Sequence, residues 1–162
     1  MAEEKNIQFL LENMVMNFTR EYSDEVQKKR NELLRGNLIR PVIYVGTGTC
    51  GIAAGSGNTL RAVREYLQKT PQEADIVEVG CIGLCSAEPL MDVQLPGKAR
   101  ISFRKVTEDL VPQLLDECFH NHLSGNHVLG QLRNDEHEYW ENVPIINDLP
   151  FFKNQQRLLL YD

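Results

Sequence analysis

No apolar run in the 162 residues approaches the roughly 20 that carry a helix across a bilayer. A single-pass or multi-pass helical membrane protein is therefore excluded. Basic residues are in short supply as well: 17 Lys and Arg stand against 23 Asp and Glu, for a net charge of −6. Binding along a phosphate backbone calls for a basic face. Here Lys and Arg are interspersed with acids, as in residues 24–35, so a nucleic-acid-binding role has no electrostatic footprint. The opening residues, Met1-Ala-Glu-Glu-Lys-Asn, are polar and lack the apolar core of a secretion signal, so a cytoplasmic location is expected. There is no Cys-x-x-Cys pair, which removes a thioredoxin-type dithiol centre. The glycine-rich run 46–57 lacks the Lys-Ser/Thr pair that completes a P-loop.

Cysteine is scarce too, with four in the chain, but its placement is informative. Cys50, Cys81 and Cys85 fall in two glycine-rich loops, V-G-T-G-T-C-G and G-C-I-G-L-C-S-A-E-P, either side of a helical stretch at 58–68. Thiolates in glycine-rich loops bind iron–sulfur clusters, because glycine lets backbone N–H groups turn toward sulfur without Cβ clashes. In a reducing compartment, clustered cysteines point to metal or redox chemistry before structural disulfides. A two-iron cluster normally takes four thiolates, and this segment offers three. Thr47, Thr49 and Ser56 are nearby oxygen donors, although oxygen suits a soft cluster less well. Other readings stay open: a degenerate site that binds nothing, a Cys81–Cys85 disulfide, or zinc on three thiolates. Cys118 is expected to be a buried, inert thiol, and could complete the ligand set only if its helix end reached the loops. His120, His122 and His127 are expected at the surface of a fraying helix end.

The remaining pattern suggests one globular unit with two flanks. An apolar fraction of 42% supports a substantial core. Residues 6–34 carry an apolar stripe at three- and four-residue steps, including Leu11, Phe18 and Tyr22, and predict a helical arm. Residues 40–45 read as a buried strand, 46–57 as a loop, 58–68 as an amphipathic helix and 75–79 as a second strand. Residues 90–95 and 99–103 flank Pro96-Gly97-Lys98 as a hairpin. A helix is expected over 106–120, starting later if Pro112 sits in its first turn. The order β-α-β-β-β-α suggests a thioredoxin-like layered architecture. Beyond residue 123 the sequence is polar and irregular to residue 150, which predicts an extended linker, and then turns apolar over 151–161.

The spacing of these residues resembles the thioredoxin-like [2Fe-2S] ferredoxin family. Cys81-Ile-Gly-Leu-Cys85-Ser-Ala-Glu-Pro89 matches the second half of the family pattern, C-x3-C-x-x-x-P. Gly46-Thr-Gly-Thr-Cys50 and Gly55 match the first half, C-x4-C, with one departure: the first family cysteine falls on Val45. The resemblance covers residues 40–123. Asp148-Leu-Pro-Phe-Phe-Lys-Asn-Gln-Gln-Arg-Leu158 is similar to the run leading into the flavin domain of NADH-binding subunits.

This resemblance implies an α/β thioredoxin-like ferredoxin fold with an N-terminal helical arm. The expected domains are an arm at 1–37, a ferredoxin domain at 38–123, and a linker at 124–162 toward a flavin domain that this chain lacks. It implies a [2Fe-2S] cluster on Cys50, Cys81 and Cys85, with Val45 at the vacated ligand position, and a cis-proline at Pro89. The implied role is electron transfer within an NADH-linked flavin and iron–sulfur oxidoreductase, without catalysis by this chain alone. The implied partners are a flavin- and NADH-binding domain or subunit and other iron–sulfur subunits. A cluster-free docking module of the same kind of complex is the alternative.

Overall fold

A computed structural model describes Asp24, residues 38–133 and residues 137–155. The chain divides into two units, Met1–Asn37 and Leu38–Asp162. The helical arm expected at 1–37 lies outside the described residues, Asp24 apart, as do residues 156–162.

The second unit is built on a five-stranded sheet of order β2-β1-β3-β4-β5. Strand β1, Val42–Gly46, is buried along its whole length. It runs parallel to β2, Asp75–Val79, and antiparallel to β3, Met91–Gln94. A β-branched run such as V-I-Y-V suits a strand buried on both faces. Strand β4, Ile101–Phe103, and β5, Val128–Gln131, extend the antiparallel half. Side chains alternate across the sheet. Ile43 and Val45, Met91 and Val93, and Ile101 and Phe103 therefore share one face, and all belong to the main core.

Two helices close that face. Helix α1, Thr49–Ala54, turns through Gly55, at φ +103°, into α2, Ser56–Lys69. Leu60, Val63 and Tyr66 form the buried stripe of α2. Helix α3, Val111–Phe119, buries Val111, Leu114, Leu115 and Cys118 at helical spacing. Each large aliphatic side chain removed from water here contributes roughly 1.5–3 kcal/mol. The two helices are fastened by Tyr66, whose hydroxyl donates to Asp116 at 2.6 Å and whose ring stacks on Phe119. Thr59 Oγ1 ties α2 to the Val106 carbonyl at 2.7 Å.

The architecture is the expected α/β thioredoxin-like one, with corrections. Part of the 46–57 loop is helical, because Thr49 to Ala54 complete a turn before Gly55 reverses the chain. The last predicted helix starts at Val111, with Pro112 in its first turn. The buried Val106 instead lies in a loop, its N–H bonded to the Pro89 carbonyl at 3.0 Å. The segment after 123 is not an extended linker at its start. Residues 128–131 pair with β4, so the observed order is β-α-α-β-β-β-α-β. Trp140 is 5% exposed, and its indole N–H donates to the Ala99 carbonyl at 2.8 Å. The buried Gln131 amide donates to the Trp140 and Val143 carbonyls, and its oxygen accepts from Trp140 N–H. Ile146 and Leu129 join Ala87 and Leu90 in a second, smaller apolar cluster. A short helix α4, Pro150–Lys153, follows. No helix among the described residues is long and apolar enough to cross a membrane.

Candidate metal centre

The carboxyl ends of β1 and β2 carry the two cysteine loops. Gly46 N–H donates to the Leu90 carbonyl at 3.0 Å and Thr47 N–H to the Val79 carbonyl at 2.9 Å, which pins the first loop between β2 and β3. Cys50 then sits in the first turn of α1. The turn is tight: a Cβ on Gly51 would lie 2.2 Å from the Gly46 carbonyl oxygen, so only glycine fits. The second loop leaves β2 after Val79. It turns at Gly83, where φ is +90°, and closes in a 3-10 turn at Cys85–Ala87. The Glu88–Pro89 peptide that follows is cis, as the resemblance implied.

This arrangement brings Cys50, Cys81 and Cys85 together, with all three sulfurs within 4.8 Å of one another. The Cys81 and Cys85 sulfurs share a hydrogen-bond contact at 3.6 Å with no disulfide between them, and all four cysteines are free thiols. Gly83 N–H donates to Cys81 Sγ at 3.2 Å, the amide-to-sulfur contact that glycine-rich loops permit. Cys81 and Cys85 are exposed and Cys50 is partly buried. The thiols share protons unevenly. The hydrogen bond from Cys50, then the one from Gly83 N–H, holds the Cys81 thiol below the ordinary thiol range. Hydrogen bonding toward Cys81, then Cys85, together with burial, pushes the Cys50 thiol up to about 12. Thiols packed this closely cannot all ionise unless a cation replaces their protons.

Cys118 is buried in the main core and stands outside this group, and burial pushes its thiol far up. The histidines do not assemble either. His120 Nδ1 faces the Asp116 carbonyl and His127 Nδ1 the Arg104 carbonyl.

Val45, read as the vacated ligand position, is fully buried in the core beside Ile43 and Val63. Strand alternation turns it away from the cysteines. The next residue, Gly46, faces Glu88: a Cβ there would meet Glu88 Oε2 at 3.1 Å. Glu88 is the residue that sequence reasoning missed. It is buried, and its Oε1 lies 3.7 Å from Cys50 Sγ. The available signal was a lone acid among small and apolar residues, Ala87-Glu88-Pro89-Leu90. Gly46, Gly48 and Gly51 also have the G-x-G-x-x-G spacing of a dinucleotide loop. Here the close approach at Gly48 is made by Cys81, not left for a phosphate, and α1 has only six residues.

A sheet of this order, covered on one face by α2 and α3 and carrying three thiols on its loops, defines the thioredoxin-like ferredoxin class. The fold matches the thioredoxin-like [2Fe-2S] ferredoxin from Aquifex aeolicus with a TM-score of 0.51, at 17% identity, over 59% of this chain and 94% of that one. The NADP-reducing hydrogenase subunit HndB of Solidesulfovibrio fructosivorans is 30% identical over 98 residues, spanning 58% of this chain and 78% of the subunit. No family model matches the chain. The chain belongs to the same family as this hydrogenase subunit, and its fold is that of the thioredoxin-like [2Fe-2S] ferredoxins. Its three thiols, already convergent and contacted by a backbone amide, form a donor set that could hold a [2Fe-2S] cluster.

Proposed function

We propose that this chain is an electron-transfer domain or subunit of an NADH-linked flavin and iron–sulfur oxidoreductase, with Cys50, Cys81 and Cys85 holding a [2Fe-2S] cluster. The observation that carries this reading is the convergence of the three sulfurs within 4.8 Å at the mouth of two loops. When bound, such a cluster takes up and releases one electron at a time. The chain's own residues fix the sulfurs, present Gly83 N–H to one of them and keep Cys81 and Cys85 at the surface. Surface exposure suits exchange with a docked partner. Ile52 and Ile82, one beside each cysteine loop, are 62% and 38% exposed and offer apolar contacts for one. The relative HndB is named as a subunit of an NADP-reducing hydrogenase, which supports a multi-subunit setting. In this reading the partners are a flavin- and NADH-binding subunit and other iron–sulfur subunits.

Iron and acid-labile sulfide analysis of anaerobically reconstituted protein tests the reading. The expected result is about two irons per chain with visible charge-transfer absorption. Addition of NADH together with the flavin subunit should bleach that absorption, while NADH alone should not. Colourless, iron-free protein would overturn the electron-transfer role. It would favour the second reading, a cluster-free docking module, whose supporting observation is that three thiols are gathered here and Cys118 is not among them.

A further inference from the structure

One oxygen donor is built into the wall of the cysteine site. Glu88 is 2% exposed. Its Oε2 accepts the Leu90 N–H at 2.8 Å, while its Oε1 faces Cys50 Sγ at 3.7 Å. Two glycines keep the space that the carboxylate occupies: a Cβ on Gly46 would stand 3.1 Å from Oε2, and one on Gly51 3.2 Å from it. Buried carboxylates are paired with a cation or bind a metal. Among the described residues no Lys or Arg forms an ion pair with Glu88.

We propose that Glu88 supplies the fourth ligand of the cluster, with Cys81 and Cys85 on one iron and Cys50 and Glu88 on the other. This rests on the cluster-binding reading above. Sulfurs about 2.3 Å from a tetrahedral metal stand about 3.7 Å apart, and a sulfur–oxygen pair about 3.6 Å apart. The two observed pairs are 3.6 Å and 3.7 Å. On loading, the thiols release their protons to solvent and Glu88 binds as the carboxylate. Three thiolates and one carboxylate carry the same total charge as four thiolates. The difference lies in hardness: oxygen is a harder donor and favours ferric iron. Such a donor set would favour the added electron at the iron that Cys81 and Cys85 would hold.

Mössbauer spectroscopy of the wild-type chain reconstituted with 57Fe tests the ligand directly, without any substitution. Two unequal iron sites are expected, with the oxygen-bearing site remaining ferric after one-electron reduction. Glu88→Cys should convert the spectrum to two all-sulfur sites. Glu88→Gln keeps an oxygen for the Leu90 N–H but loses the anion, and should weaken iron retention against a chelator roughly tenfold or more. A loaded wild-type protein with two all-sulfur sites overturns the proposal and leaves the electron-transfer reading standing. So does a Glu88→Gln protein with unchanged iron content and spectrum. A wild-type protein that takes up no iron overturns both.

Discussion

The backbone of Gly48 lies against Cys81, so closely that a Cβ on Gly48 would stand 3.1 Å from the Cys81 nitrogen and 3.3 Å from its Cβ. The contact locks the two cysteine loops together. Nothing in the Gly48 backbone angles demands glycine, since φ is −62°; the close approach does. Gly48→Ala is expected to push the loops apart, at a cost of roughly 1–3 kcal/mol typical of overpacking. Thermal unfolding should register the loss, and iron retention should fall with it. An unchanged Tm and iron content would show that the loops yield freely.

The position of the vacated ligand can be checked by adding a thiol. Val45→Cys should bring no gain in iron retention, because its side chain points into the core, and should cost about 1 kcal/mol through lost packing. Gly46→Cys combined with Glu88→Ala places a thiol on the face that looks toward Cys50 and should retain iron. Better iron retention in Val45→Cys than in this double variant would contradict the register of β1.

Proton sharing among the thiols predicts an order of alkylation in iron-free protein. Cys81 is exposed and ionises below the ordinary thiol value, so iodoacetamide near pH 7.5 should label it before Cys50. Peptide mass spectrometry over time reads the order. The pH dependence follows from the same shifts. Cys81 ionises more readily folded than unfolded, so its contribution is present above the unfolded value and is lost as pH falls through the folded one. Cys50 behaves oppositely: its contribution is present below the ordinary thiol value and is lost as pH rises toward about 12. The iron-free protein should therefore lose the Cys50 contribution in the alkaline range, and loading with iron should remove that sensitivity.

Cys118 offers a control. Burial in the core raises its thiol and keeps it from the cluster group. Cys118→Ser should leave iron content unchanged while lowering stability by roughly 1–3 kcal/mol, the cost of burying a hydroxyl without a good partner. Iron loss at full stability would place Cys118 in the ligand set.

Trp140 is the single tryptophan of the chain, and it reports on the polar segment whose sequence predicts a linker. Its buried ring should emit at short wavelength and shift to the red on unfolding, together with the far-ultraviolet signal. Trp140→Phe leaves the Ala99 carbonyl without its indole donor and should cost roughly 1–3 kcal/mol. Red-shifted native emission would mean that residues 137–149 do not pack on this unit.

Much of the sheet is legible in the chain because its signals are local. The V-I-Y-V run, the Pro96-Gly97 turn and the apolar spacing of Leu60, Val63 and Leu114 need no distant partner to be recognised. Strand β5 has no such signal. It is V-L-G-Q, and what holds it is β4 on one side and a Gln131 amide bonded to the backbone of residues 140 and 143 on the other. Long-range side-chain bonds of this kind leave no period in the sequence. The cysteine positions were plain from spacing, but their fourth neighbour was not. Glu88 became visible only when the bare faces of Gly46 and Gly51 showed where its carboxylate fits.

The strap after β5 covers one edge of the sheet. Gln131 N–H donates to the Pro144 carbonyl, Gln131 bridges to Ile145, and a Cβ on Gly130 would stand 2.9 Å from the Pro144 oxygen. Unpaired edge strands invite another chain to pair with them. The β5 edge is thus capped by the protein's own backbone. Among the described residues the opposite edge, β2, pairs with β1 alone. Among the described residues, β2 is the edge left to a foreign strand. A strand added there would run alongside Val79, two residues from the exposed Cys81, and so beside the thiol mouth.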